Sequence, residues 1–254
     1  DADPHVSVRT AVVSLLPALG PARALPRLTA LADGPDPSVA AAAIAASAGM
    51  DERPAGFGAT LGLRLAGGDV MVRAAAAEAI GALKPPGAER QLEAAYTAGL
   101  ADPMYQARLA ALTALAKYGA VAAEAALTAA LGDPEWPVRT RAAELLRDLG
   151  RPGDAASRIR PAPGRSLDAY AAPALVAPQV SPHVYLDTDK GTVEIELAVL
   201  DAPLTSESFL ALARQGYFSG MAIHRVVANF VVQAGDGRGD GEGGPGYTLR
   251  DEIN

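Results

Sequence analysis

Two hydrophobic periods run through the 254-residue chain and divide it. Over residues 1–150, apolar positions recur three and four apart, as in Val8, Val12, Leu15, Leu16 and Leu19, and again in Leu109, Leu112 and Leu115. That spacing lines one face of an α-helix. A second helix is predicted after each, through Leu25, Leu28 and Leu31, and later through Val121, Leu127 and Leu131. From His183 the period drops to two. Val184 and Leu186, then Val193, Ile195 and Leu197, alternate with polar residues across an Asp189-Lys190-Gly191 turn, which predicts an antiparallel hairpin. Pro203 opens a helix to about Gln215 with Phe209 and Leu212 facing inward, and Gly216 ends it. Between them, residues 151–182 hold Pro152, Pro161, Pro163, Pro173, Pro178 and Pro182 with little periodicity, the composition of a linker.

The helical half repeats itself. Asp3-Pro4 precedes Val8-Arg9, Asp36-Pro37 precedes Val39, Asp102-Pro103 precedes Arg108, and Asp133-Pro134 precedes Val138-Arg139. With Gly67 as the degenerate mark before Val72-Arg73, the phase positions are 3, 36, 67, 102 and 133, spaced by 33, 31, 35 and 31. Aspartate caps a helix N-terminus, and proline suits the first helical position because its missing N–H would be unpaired there. Counting from the aspartate, copy two carries Ala42 where the others carry arginine. The arginines read as architecture, lying along apolar surface or pairing with neighbouring aspartates between repeats. Gly20, Gly81, Gly119 and Gly150 are read as helix stops. Residues 51–68 are the weakest stretch, with Pro54, Gly56, Gly58, Gly62, Gly67 and Gly68 interrupting any helix. A helix pair of this length cannot bury its apolar face alone, whereas stacked pairs share a core. The pattern resembles HEAT repeats, particularly the short bacterial variety, and implies an all-α solenoid of four repeats and a terminal helix over residues 1–150.

Composition narrows the functions. Half the chain is hydrophobic but only 5% is aromatic, so alanine and leucine must fill most of the core. Lysine plus arginine number 22 against 29 acidic residues, a net charge of -7 with no basic cluster, which argues against a nucleic-acid partner. No cysteine is present, excluding disulfides, thiolate metal sites and cysteine nucleophiles. The longest apolar run, Val39 to Ala46, is too short to span a bilayer. His5, His183 and His224 are scattered, so no metal cluster is read. Glu194 and Glu196, two apart on one strand, read as a solvated outer face rather than a catalytic carboxylate pair.

The remaining chemistry lies in Ile223 to Asp236, I-H-R-V-V-A-N-F-V-V-Q-A-G-D. Two β-branched runs flank Ala228-Asn229-Phe230, predicting a hairpin that pairs Val227 with Val231, Val226 with Val232 and Arg225 with Gln233. Arg225, Val227, Val231 and Gln233 then share one face, with Phe230 at the bend and His224 on the other face. The glycine-rich stretch 235–246 formally spells a dinucleotide fingerprint through Gly239, Gly241 and Gly244, but Asp240 and Glu242 would repel phosphate. It also starts like a calcium loop, but Arg238 occupies a ligand position. It reads as a long surface loop passing near the hairpin.

In order, D-K-G-T-V-E-I-E-L, A-P-L-T-S-E-S-F-L-A-L-A, G-Y-F-S-G, I-H-R-V-V-A-N-F-V-V-Q-A-G-D and G-G-P-G-Y resemble the cyclophilin-type peptidyl-prolyl isomerases, especially bacterial ones, across residues 183–254. The resemblance implies the N-terminal part of an antiparallel β-barrel with one capping helix. It implies catalytic roles for Arg225, Gln233 and Phe230, and substrate contacts from Phe230, Val231 and Gln233. No metal or cofactor is implied, and the partners are proline-containing peptides or unfolded protein clients, with a further protein partner open for the repeats. Ile223, Ala228, Ala234 and Ser208 depart from the family's usual phenylalanine, proline, glycine and asparagine. The chain opens on Asp1 inside a repeat and stops at Asn254 part-way through the barrel, so both ends are expected to be cut and the fragment to be inactive. The alternative is a scaffold or adaptor that binds proline-containing segments without turnover.

Overall fold

The computed structural model describes residues 3–102, 104–151, 153, 158–159, 181–239, 241, 243–249 and 251–252. The linker expected over 151–182 therefore lies almost wholly outside the described residues. Two compact units emerge from the packing: Asp1–Ala162 together with Ile223–Gly246, and Pro163–Ala222 together with Tyr247–Asn254.

The first unit begins with helices in pairs: α1 Val6–Leu15, continued by a 3-10 turn over Leu16–Leu19, and α2 Pro21–Ala32; α3 Pro37–Ala48 and α4 Phe57–Leu65; α5 Val70–Leu83 and α6 Glu89–Gly99; α7 Gln106–Ala116 and α8 Ala120–Ala130; then α9 Trp136–Asp148. The first helix of each pair packs on the first helix of the next, α1 on α3, α3 on α5, α5 on α7 and α7 on α9. The second helices fill in against the following first helix, α2 on α3, α4 on α5, α6 on α7 and α8 on α9. The shared core holds Leu28, Ile44, Leu61, Ile80, Leu92, Leu112, Leu115 and Leu127, packed among buried alanines such as Ala43, Ala77, Ala111 and Ala123.

The helix starts explain the repeat mark. Asp36 caps α3 by accepting from the Ser38 and Val39 amides, each at 3.1 Å. Asp69, not Gly67, caps α5 in the same way, accepting from Met71 and Val72. In the first and last copies the aspartate sits two residues before the cap, where Asp3 accepts from His5 N–H and Asp133 from Glu135 N–H. Counted from the cap, the arginine position in α3 is therefore Ala40, directly after Val39, and the sequence alignment to Ala42 is corrected by two residues.

The other arginines each do two things. One guanidinium nitrogen turns back to carbonyls before its own helix, Arg9 to Asp3 and Pro4, Arg73 to Gly67 and Gly68, and Arg139 to Asp133 and Pro134. Another reaches forward to the aspartate of the next copy: Arg9 to Asp36 at 2.6 Å, Arg73 to Asp102, and Arg108 to Asp133 through two bonds of 3.1 Å. Arg139, in the last helix, instead lies over the Trp136 ring, 5.3 Å from its centroid.

Three sequence expectations change. Val8, Val12, Leu15 and Leu19 are exposed and the buried line of the first copy runs through Val13 and Leu16; Val121 is also 99% exposed. Residues 57–65 form α4 despite Gly58 and Gly62, with Phe57, Leu61 and Leu65 buried, so tertiary burial outweighs the glycine cost. Gly81 lies inside α5 rather than ending it; a Cβ there would stand 2.8 Å from Ala114 Cα and Cβ, so the glycine lets α5 and α7 approach. The helix ends three residues later at Lys84, which takes a left-handed φ of 50°.

The second unit pairs β1 His183–Thr188 with β2 Gly191–Glu196, Val184 opposite Ile195 and Leu186 opposite Val193, as the alternation predicts. Glu194 accepts from Tyr185 Oη at 2.9 Å and faces His183 Nδ1 at 2.8 Å on the exposed side of this hairpin. Helix α10, Pro203–Arg214, follows and stops at Gly216 in a left-handed conformation. Its open N-terminus is closed by Glu252, whose carboxylate accepts from the Leu204 and Thr205 amides at 2.7 and 2.9 Å. Among the described residues the strands form two separate two-stranded sheets, the second being the β3–β4 hairpin of the first unit.

Two outcomes test this packing. Gly81→Ala gains up to ~1 kcal/mol of helix propensity but forces a methyl into Ala114; we expect net destabilisation of about 1–2 kcal/mol, and a melting temperature at or above wild type would reject the close approach. At Asp36, burial favours the neutral acid, but the Val39 amide and Arg9 outweigh it and hold the carboxyl below the usual 3.8. A carboxyl lowered in the folded state stabilises fully above 3.8 and loses that contribution as pH falls through its lowered value. Acid unfolding below that point should therefore be shallower in Asp36→Asn than in wild type, measured by circular dichroism against pH.

Candidate functional site

The β3–β4 hairpin presents a guanidinium, a carboxamide and an aromatic ring on one small surface. Strand β3, Arg225–Val227, pairs antiparallel with β4, Val231–Gln233, in the register Arg225 to Gln233, Val226 to Val232 and Val227 to Val231. This is the pairing that a three-residue connection dictates. The Phe230 amide donates to Val227 O at 3.1 Å, closing the bend. Asn229 takes φ 58°, a left-handed conformation that asparagine tolerates better than other side chains with a Cβ. One further bond, His224 N–H to Gln233 O at 3.2 Å, extends the ladder beyond Arg225.

On the hairpin face, Arg225 Nη1 donates to Gln233 Oε1 at 3.3 Å, and the guanidinium carbon lies 6.0 Å from the Phe230 ring centroid. The side-chain period of two brings the arginine and glutamine together, and the bend folds Phe230 back toward them. Phe230 is 76% exposed, and Val226 and Val232 on the other face are also exposed. Val231 and Gln233 are half-buried. The structure thus brings Arg225, Phe230 and Gln233 together, with Val231 beside Phe230 in the chain. A fork held on one edge by a carboxamide has its other N–H groups directed away from that contact, the arrangement needed to donate to a peptide laid over the ring.

His224 points from the opposite strand face and is half-buried; neither ring nitrogen has a partner among the described residues. The described residues hold no cluster of histidine, aspartate and glutamate able to bind a metal.

The loop after β4 is ordered by Asp236, a residue to which the sequence analysis assigns no role. Its buried carboxylate accepts from Arg238 N–H at 2.7 Å and Gly241 N–H at 2.6 Å. A Cβ at Gly243 would lie 1.8 Å from Asp236 Oδ1, so this carboxylate can fold inward only with glycine there. The available signal was the Asp-x-Arg spacing, since an aspartate side chain binds the amide two residues on in an Asx turn.

This hairpin lies within a segment that is similar to a known family. Residues 183–254 match the family described as cyclophilin type peptidyl-prolyl cis-trans isomerase/CLD. A peptidyl-prolyl cis-trans isomerase-like 1 of Rhizopus delemar is 45% identical over 74 residues, 28% of this chain and 45% of that protein. A peptidyl-prolyl cis-trans isomerase of Helicobacter pylori is 41% identical over 68 residues, 27% of this chain and 42% of its own length. One from Synechococcus elongatus is 42% identical over 69 residues, 27% of this chain and 48% of that protein. The chain spans less than half the length of these relatives. A mammalian relative, from Mus musculus, is similar to the same degree, 41% over 76 residues, 29% of this chain and 46% of that protein, so these similarities do not separate a bacterial type from a eukaryotic one.

Proposed function

We propose that this chain is part of a cyclophilin-type peptidyl-prolyl cis-trans isomerase carried on a HEAT-like helical solenoid. In this reading residues 1–150 are the solenoid, 151–182 a Pro/Ala-rich linker and 183–254 the N-terminal part of the isomerase barrel. The observation that carries it is the Arg225–Gln233 pair beside Phe230 within a segment matching the family. The stacking of α1, α3, α5, α7 and α9 supports the solenoid.

Rotation about a prolyl bond is slow because it breaks amide resonance, a barrier of roughly 20 kcal/mol. No nucleophile, metal or cofactor is needed to lower it. The protein must bind the twisted amide better than either planar form. Arg225 supplies the discrimination: the prolyl nitrogen lone pair becomes an acceptor only as conjugation is lost, and a guanidinium N–H donates to it then. Gln233 fixes the guanidinium from one side and has its amide N–H2 for substrate backbone. Phe230 and Val231 hold the proline ring. The substrates are proline-containing peptides or unfolded protein clients.

The exposure of Phe230, Val226 and Val232 favours one second reading, a HEAT-like adaptor that binds proline-containing segments without turnover. A ring that grips proline from one side can bind it without enclosing the twisted amide.

In a protein that carries this segment within a whole isomerase domain, Arg225→Ala should slow prolyl isomerisation by at least about tenfold, which corresponds to ~1.4 kcal/mol of transition-state stabilisation. Arg225→Lys should recover little, because a point charge cannot replace the planar fork. Unchanged turnover by folded Arg225→Ala would remove the assigned role, and retained affinity for a proline peptide without turnover in wild type would favour the adaptor. Residues 1–254 assayed alone should show no turnover, since the exposed hairpin offers the proline ring one wall; activity matching that of the whole domain would reject that view.

A further inference from the structure

The forward-reaching arginines leave one place in the helical array without its own cation. Asp36 receives Arg9, Asp102 receives Arg73 and Asp133 receives Arg108. Asp69, the cap of α5, should receive a guanidinium from α3, but α3 carries Ala40 where the other first helices carry arginine. The structure fills that place from elsewhere in the chain. Arg238 Nη1 lies 2.5 Å from Asp69 Oδ2 and its Nη2 lies 3.3 Å from Oδ1, a two-point fork on one carboxylate. The pair is about as sheltered as Arg9–Asp36.

The loop that delivers Arg238 is shaped for it. Asp236 fixes the amides of Arg238 and Gly241, which sets the direction in which the arginine leaves the loop. Gly239 holds φ +73°, and a Cβ there would reach 3.7 Å from Val6 Cγ1, placing the loop against the start of α1. Arg238 also lines a cleft with Arg9, Asp36, Pro37 and Ser38, at the start of α3. Loop and helix N-termini therefore meet along the edge where the rungs run. Burial works against ionisation of Asp69, yet the Arg238 contact and the Val72 amide outweigh it and hold this carboxyl below its usual range.

We propose that Arg238 is the substituted rung of the arginine–aspartate ladder, and that Asp236 and Arg238 form a latch fastening the β3–β4 hairpin to the helical repeats at Asp69. The occupant is this chain's own loop, and the vacancy that selects it is Ala40. Arg238 is the fifth residue after Gln233, so the latch anchors the strand that carries Gln233 and, through its pairing, Arg225. Neither step requires the hairpin to be catalytic, and the test reads backbone protection rather than turnover.

Amide hydrogen exchange on the 254-residue chain tests it with three variants and one double variant. Arg238→Ala should speed exchange of the Gly241 and His224 amides about tenfold, the loss expected for a charge-assisted contact. Asp69→Asn keeps an acceptor to cap α5 but removes the charge, and should speed the same amides similarly. Joined with Arg238→Ala it should add little further, because both remove one interaction. Ala40→Arg restores the rung within the array and should release the loop although Arg238 is intact, with α5 amides protected at least as well as in wild type. Additive effects in the double variant, or loop protection unchanged in both Arg238→Ala and Asp69→Asn, would overturn the latch. If Ala40→Arg fails to fold, the double-variant comparison decides the matter alone.

Discussion

The helical array depends on a guanidinium bridging two successive helix starts. Its core is alanine-rich and aromatic-poor, so each layer buries little area per residue, and apolar burial at about 25 cal/mol per Å2 is non-directional. The arginine supplies direction: one side satisfies carbonyls before its own helix, the other fixes the aspartate that begins the next. Shelter increases along the chain, from 22% and 33% side-chain exposure at Arg9–Asp36 to 3% and 0% at Arg108–Asp133. At the buried end Arg108 also donates to the Gly99 and Met104 carbonyls, and Tyr96 stands near Asp133 with its hydroxyl pushed up to about 12 by burial and that carboxylate. A carboxylate and guanidinium this enclosed are held by mutual saturation; removing one partner from such a pair costs about 3–5 kcal/mol because the other charge stays buried.

Repetition made most of this visible beforehand. Asp-Pro and Val-Arg recur because every copy needs the same cap and the same bridge, and a helix face declares itself through its period. What the period cannot give is the identity of the neighbour. Gly81 has the look of a helix stop, yet it lies where α5 and α7 approach too closely for a side chain. Val121 continues an apolar line but stands in solvent, because α8 turns Ala123, Ala126 and Leu127 inward instead. The two-residue error at α3 arose because the aspartate serves as the cap there and as a turn before the cap in the first and last copies. Only the cap geometry distinguishes these uses.

The candidate site divides in the same way. Register in a short hairpin is local, so Arg225, Gln233 and the bend at Phe230 followed from a side-chain period of two and a three-residue connection. Contacts joining distant positions were not legible. Glu252 closing the start of α10 spans 48 residues, and Arg238 meeting Asp69 spans 169. No spacing rule predicts either pairing. A ladder with one missing arginine does, however, leave a carboxylate whose partner must come from outside the repeat.

Arginine thus appears in two roles, and the number of engaged donors separates them. Arg108 is enclosed at 3% side-chain exposure and four of its five N–H donors bond within the fold, so it offers no open face to a ligand and the residue is structure. Arg225 is exposed and, among the described residues, its guanidinium makes one bond, to Gln233, with an aromatic ring beside it. In the proposed chemistry that economy is the useful property. A guanidinium oriented at one edge and open at the others can favour a twisted prolyl amide, whereas one saturated by the fold cannot. The same contrast bears on lysine: the bridge needs two directions at once, and the proposed site needs one edge fixed while another donates, and a point charge supplies neither geometry. On the proposed reading, what separates a binding guanidinium from a structural one is what it has left to bond, and in the β3–β4 hairpin that remainder faces solvent.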